Sequence, residues 1–193
     1  MQNHIYLIGL MAAGKSTVGR NLARLLRREF IDIDAAIEEK TGVTVSHIFE
    51  IEGEPGFRKR EAKLLAEVAG ANAAANGGGA VVATGGGIVL REDNRELMRA
   101  SGAVVYLRAA RELLLERLKR ARADARPLLQ DDPEGVITRL LAERGPIYAA
   151  AADITVDVRA ATPLGTARKI AAELQDLEQK FPQKPSEKSP KKP

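Results

Sequence analysis

The chain has 193 residues, of which 45% are hydrophobic, 29% charged and 4% aromatic, a composition that suits one soluble domain packed mainly from aliphatic side chains. It has no cysteine and only two histidines, His4 and His47, which excludes a disulfide framework, thiolate chemistry and a zinc site. The net charge of +4 does not point to nucleic acid, because five lysines against Glu187 within 180–193 account for all of it and leave the remainder balanced.

No apolar run reaches the roughly 18 residues of a membrane span, and Met-Gln-Asn-His lacks a basic stretch followed by a long apolar one, so a cytoplasmic protein without membrane contact is expected. Short β-branched runs alternate with stretches of helical period, the signature of βαβ units, and the expected class is α/β with a mainly parallel sheet. The first strand is predicted at His4–Ile8. It runs into Gly9-Leu10-Met11-Ala12-Ala13-Gly14-Lys15-Ser16, which fits G-x-x-x-x-G-K-[ST] between a strand and a helix. There the glycines let backbone N–H groups wrap phosphate oxygens, Lys15 meets the β/γ charge and Ser16 offers an oxygen to Mg²⁺.

Val18, Leu22, Leu25 and Leu26 then repeat at helical spacing and are expected to pack on the sheet. A second strand is predicted at Phe30–Ile33. If Phe30-Ile31-Asp32-Ile33-Asp34 is extended, its alternation puts both carboxylates on one side, one to hold Mg²⁺ through water and one to orient and deprotonate a hydroxyl. The alternative is a solvated strand end with Asp34 as a helix cap. His47 lies among Val45, Ile48 and Phe49 in an expected helix and is assigned no role.

Leu64, Leu65 and Val68 continue a helix expected to begin near Gly56, followed by an Ala/Asn/Gly connector over Ala69–Gly79. A third strand at Ala80–Thr84 ends in Gly85-Gly86-Gly87, where backbone can approach a ligand closely. A fourth is predicted at Ala103–Leu107 and a fifth at Ile154–Val158. Helices follow from Leu113, Leu114 and Leu118, from Val136, Ile137, Leu140 and Leu141, and from Ile170 with Leu174. The polar, basic stretch Arg122–Asp132, interrupted by Pro127, reads as a loop able to close over a ligand. His4 and Tyr148 are explained by packing. The Pro/Lys-rich stretch 180–193 reads as a disordered tail after a single domain over 1–179.

The P-loop segment continued by Thr17-Val18-Gly19-Arg20, with Asp32-Ile33-Asp34 and Ile37-Glu38, resembles the shikimate kinase family. Gly53-Glu54-Pro55-Gly56-Phe57-Arg58 with Glu61, the glycine triplet, Arg126-Pro127-Leu128-Leu129 and Arg144-Gly145-Pro146-Ile147-Tyr148 extend the resemblance in the family's order, over about Ile5 to Leu174. It implies a three-layer α/β/α fold with a five-stranded parallel sheet in the order 2-3-1-4-5, a mobile lid over about 122–132, and Mg²⁺-dependent transfer of phosphate from ATP to the 3-hydroxyl of shikimate.

By that resemblance Asp34, Arg58, Gly86, Gly87 and Arg144 would line the shikimate pocket, with Asp34 on the reacting hydroxyl. Ala12, Ala13, Gly14, Lys15, Ser16 and Thr17 would cradle ATP, and Ser16 and Asp32 would serve Mg²⁺. Arg126 would bring lid charge to the transferring phosphate, and Arg117, or else Arg120, would stack on adenine opposite the Pro163 region. Asp34, Lys15 and Arg126 would carry the chemistry. Two arginines independently suit a carboxylate acceptor, since a guanidinium forks onto one bidentately. Ala12 and Ala13 stand where the family commonly has a glycine, and an alanine there is strained if the turn needs positive φ. A monomer needing no nucleic acid is expected. The rival readings are a gluconate or nucleoside monophosphate kinase, which would share Lys15 and Ser16, and a nucleotide-gated binding module that uses the basic tail.

Overall fold

All five side chains of the first strand, β1 (His4–Ile8), are buried. Successive side chains of a strand point to opposite faces, so both faces of the sheet are covered there, as a near-continuous apolar run in a parallel sheet demands. The computed structural model describes residues 4–70, 79–120, 132–158 and 162–180. After β1 come α1 (Lys15–Leu26), β2 (Phe30–Asp32), α2 (Ile33–Thr41), α3 (Val45–Gly70), β3 (Val81–Ala83), a 3-10 turn (Ile88–Leu90), α4 (Glu92–Ser101) and β4 (Gly102–Ala109). The chain continues through α5 (Arg111–Arg120), α6 (Pro133–Ala151), β5 (Ile154–Val158) and α7 (Pro163–Lys180).

The five strands form one sheet in the order β2-β3-β1-β4-β5. Every pairing is parallel, with Ile5 of β1 opposite Val81 on one side and Ala103 on the other. The expected class, parallel sheet and strand order are all present. The helices cover the sheet in two groups: α1 packs with α7 and against β1 and β3, while α3, α4 and α6 pack around the 3-10 turn, with α4 and α6 also on β4. Val18 and Leu22 of α1, Leu64, Leu65 and Val68 of α3, Leu114, Ile137, Leu140, Ile170 and Leu174 all enter the core. Leu25, expected on the same stripe, is instead 43% exposed on the outer side of α1.

Several boundaries differ from the sequence reading. β2 stops at Asp32 because Ile33 already turns into α2, and β3 is confined to Val81–Ala83, whereas β4 is longer than expected. The helix expected near Gly56 is the second stretch of a longer one broken at Gly53, whose φ of 66° lies in the left-handed region. Pro55 follows in the first turn after the break, where a missing N–H costs no helical hydrogen bond. Neither α2 nor α4 was expected. Of the ten residues of α4 only Asn94 and Met98 are buried, too thin a stripe to show a helical period.

No helix among the described residues is long and apolar enough to cross a membrane. The lid stretch 122–131 with Arg126, most of the Ala/Gly connector and the tail beyond Lys180 lie outside the described residues.

A candidate active site at the carboxyl ends of the strands

The carboxyl ends of β1, β2 and β3 open onto one cleft of about 1060 Å³ that also takes residues from α3, α5, α6 and α7. Such a crevice, outside the ends of a parallel sheet at its switch in strand order, is where open α/β folds bind ligands. Ala12, Gly14, Lys15, Ser16, Thr17, Asp32, Asp34, Arg58, Gly86, Gly87, Arg117 and Arg144 all line it. Of the expected site residues, Ala13 is buried just behind the loop, and Arg126 falls outside the described residues.

The P-loop forms the cleft's first wall. Gly14 caps α1 in the left-handed region with φ 99°, without any side-chain cap, and no acidic residue stands in the first turn. The leading N–H groups of α1 are therefore left for an anion, with the helix dipole adding to the attraction. Lys15 Nζ folds back to donate to Gly9 O at 2.8 Å and Leu10 O at 2.9 Å. Ala12 has φ 61°, so the alanine does occupy the left-handed region that favours glycine, at a cost of about 1 kcal/mol. Arg117 reaches across from α5 and donates to the Ala12 and Ala13 carbonyls at 3.1 and 2.9 Å. Pro163 lines the same cleft. Arg120 instead pairs with Glu116 at 2.6 Å with its side chain 77% exposed, so of the two arginines it is Arg117 that faces the nucleotide side.

Ser16 Oγ donates to Asp32 Oδ2 at 2.6 Å, which brings the two expected metal-serving groups together. Among the described residues no three His, Cys, Asp or Glu side chains cluster in a way that could hold a metal. A hydroxyl beside one carboxylate fits Mg²⁺, which is commonly held by one or two protein oxygens together with substrate phosphates and water. Asp32 has a second task, because its other oxygen accepts from Ala35 N at 3.4 Å and caps α2. The extended run that was to set both carboxylates on one side is therefore absent. The strand ends at Asp32, Asp34 sits in the first turn of the helix, and both still face the cleft.

Asp34 Oδ1 is buried, and no donor among the described residues reaches it. Burial pushes its pKa up, Lys15 pulls against that and Asp32 adds to it. Across from it Arg58, with a side chain 16% exposed, donates Nη1 to Glu61 Oε2 at 2.8 Å. Its Nε and Nη2 donate to Glu54 Oε1 at 3.1 and 2.8 Å. Glu61 is fully buried, its Oε1 has no partner among the described residues, and burial raises its pKa against the opposing pull of Arg58. Sequence reasoning gave Glu61 no task. Its spacing three residues after Arg58, between Phe57 and Leu64 of the core, was the signal available.

The glycine triplet is explained by these neighbours. A Cβ at Gly87 would run into the Arg58 guanidinium, and one at Gly85 would run into the Glu61 carboxylate and stand 2.9 Å from Asp34 Oδ1. Phe49 and Phe57, with ring centroids 4.9 Å apart, add an apolar wall that the sequence reading did not include. One end of the cleft thus presents the leading N–H groups of α1, and the other sets the Asp34 carboxylate beside guanidinium groups.

A family model described as Shikimate kinase matches residues 11–176. The chain is 50% identical over 175 residues to a shikimate kinase of Halorhodospira halophila, covering 90% of this chain and 94% of that one. It is 46% identical over 181 residues to a shikimate kinase of Bordetella avium, covering 92% and 81%. Among solved structures, a shikimate kinase from Acinetobacter baumannii in complex with shikimate superposes with a TM-score of 0.83 at 43% identity, covering 94% of this chain and 96% of that one. A gluconokinase from Sinorhizobium meliloti, at TM-score 0.59 and 18% identity over 93% and 95% of the two chains, shares the fold alone.

Proposed function

Since the chain belongs to the shikimate kinase family, we propose a division of labour within the cleft for the transfer of the γ-phosphoryl group of ATP to the 3-hydroxyl of shikimate. ATP lies along the P-loop, its β- and γ-phosphates against the N–H groups from Ala12 to Thr17, with Arg117 and Pro163 flanking the base. Lys15, released from the carbonyls of its own loop, neutralises charge between the β- and γ-phosphates. Mg²⁺, when bound with ATP, neutralises phosphate charge; Ser16 would hold it directly and Asp32 through water.

Arg58 and Arg144 hold the acceptor's carboxylate, with the N–H groups of Gly86 and Gly87 beside it. Glu54 already shows that the Arg58 fork accepts a carboxylate, and as a half-exposed side chain it can yield that place to a substrate. Asp34 accepts the hydroxyl proton as the oxygen attacks the γ-phosphorus, and ADP leaves. Arg126, carried by the stretch after α5, would add charge at the transferring group, and its closure would exclude water that otherwise takes the phosphoryl. A cytoplasmic setting fits an enzyme that draws on ATP.

The observation that carries this reading is the meeting at Gly85–Gly87 of an unpartnered carboxylate oxygen of Asp34 with the Arg58 guanidinium, opposite the P-loop. The test is Asp34→Asn. A general base contributes about 100- to 10,000-fold, so kcat should fall within that range while nucleotide affinity, measured by direct titration, stays near wild type. Normal turnover in Asp34→Asn would remove it from the chemistry.

A further inference from the structure

Tyr148 stands one helical turn after Arg144 on α6, so the two side chains share a face. Its ring is fully buried and stacks on Tyr106 of β4, with centroids 5.1 Å apart and planes at 25°. The hydroxyl donates to Gly86 O, and the Arg144 guanidinium, one turn earlier on the same face of α6, lies near enough to pull its pKa down. Gly86 in turn faces the P-loop, since a Cβ placed there would lie in ordinary contact, 3.5 Å from Met11 N and 3.7 Å from both Gly9 O and Tyr148 Oη.

One oxygen atom therefore lies between two groups of the acceptor side that come from different elements, the guanidinium of α6 and the glycine loop after β3. We propose that Tyr148 is a positioning residue for the acceptor, its hydroxyl holding Arg144 and the Gly86 backbone in register so that both meet the substrate's carboxylate together. The inference rests on the placement of that carboxylate given above.

Arginine loses much rotamer freedom when its head is fixed, and an arginine tied down before the ligand arrives spares that loss at binding. The tie is durable. Burial, with Arg144 pulling the other way, leaves the hydroxyl pKa pushed up to about 12, so it remains a donor to the Gly86 carbonyl through the range of any ordinary assay. The ring's own placement comes from packing against Tyr106, so phenylalanine can keep the stack while losing the bridge. In that variant the Gly86 carbonyl loses this donor and Arg144 loses the polar neighbour beside it, two losses that fall on the acceptor side and leave the nucleotide cradle with its own hydrogen bonds.

The test is Tyr148→Phe in the full chain, followed by ADP release with shikimate varied at saturating ATP and with ATP varied at saturating shikimate. The KM for shikimate should rise about 10-fold, the size expected for losing buried hydrogen bonds, while kcat and the KM for ATP stay within about 2-fold. An unchanged KM for shikimate, or both KM values rising together with a matching loss of thermal stability, would overturn the proposal. A second variant guards against a folding artefact. In an Arg144→Ala background, the further change Tyr148→Phe should cost markedly less than it does alone, because the group it positions is gone. Full additivity would refute the bridge. Wild-type enzyme that releases no ADP with shikimate would instead sink the functional reading itself, a result distinct from normal wild-type turnover with an indifferent Tyr148→Phe.

Discussion

The phosphate-facing wall of the nucleotide half is one continuous stretch of chain, Gly9 to Thr17, with its lysine bonded to carbonyls of the same loop and Arg117 of α5 bracing it from outside. The acceptor half has no such stretch. Asp34 comes from α2, Arg58 and Glu61 from α3, the glycines from the end of β3, and Arg144 with Tyr148 from α6. Its polar groups bond to one another within α3 and from α6 to the glycine loop. A contiguous loop carries its geometry within itself, whereas a distributed set is placed only as well as the elements behind it are packed. Disturbance should therefore stay local in the first half and spread through buried partners in the second.

The largest effect expected from that difference is in Arg58→Ala. Removing a well-buried guanidinium costs the acceptor a charge-assisted contact of at least about 2 kcal/mol, so the shikimate KM should rise by roughly 30-fold or more with the ATP KM little changed. The same substitution leaves Glu61 buried without its cation, which costs about 3 kcal/mol of stability near neutral pH. The pH dependence follows from the raised pKa of Glu61, which burial causes and Arg58 opposes. An acid whose folded pKa lies above its unfolded value favours the folded state when protonated. The penalty should therefore be small below about pH 4.5, the unfolded carboxyl value, and grow as pH climbs through the raised one. Adding Glu61→Gln should recover the stability at neutral pH and leave the KM high. No recovery of stability, measured by urea unfolding, would break the claim that buried partners organise this half.

The smallest effect is expected from Ala12→Gly in the other half. Relief of the left-handed strain gains about 1 kcal/mol, and the greater freedom of glycine in the unfolded chain returns about 0.4–1 kcal/mol of it. Tm should rise by no more than about 2 °C and the ATP KM should shift less than about 3-fold. A change in the shikimate KM of this variant would contradict the independence of the two halves.

The same contrast governs what could be read from the sequence. The P-loop was legible because its eight positions are adjacent and its chemistry lies in the backbone. β1 and β5 were legible to the residue, since apolar runs between turn signals are the strongest strand pattern. At Asp32-Ile33-Asp34 the pattern misled. Alternation suggested an extended strand, but Asp32 caps a helix that begins at Ile33, and capping competes with strand extension at this point. Arg58 and Arg144 could be singled out only through resemblance, because an isolated arginine is more often a surface residue. Glu61 and Tyr148 escaped for a related reason. Tyr148 depends on Gly86 of another element, and the burial of Glu61 depends on the Gly85 backbone closing over it, neither of which sequence spacing brings close.

The most direct measurement is coupled ADP release with ATP and Mg²⁺, offering shikimate, gluconate and AMP separately beside an acceptor-free control. Turnover with shikimate alone, well above the control, is the result expected of a cleft that pairs a phosphate cradle with a carboxylate-reading acceptor side. Faster turnover with gluconate or AMP than with shikimate, or silence with shikimate in protein shown to bind ATP, would contradict it.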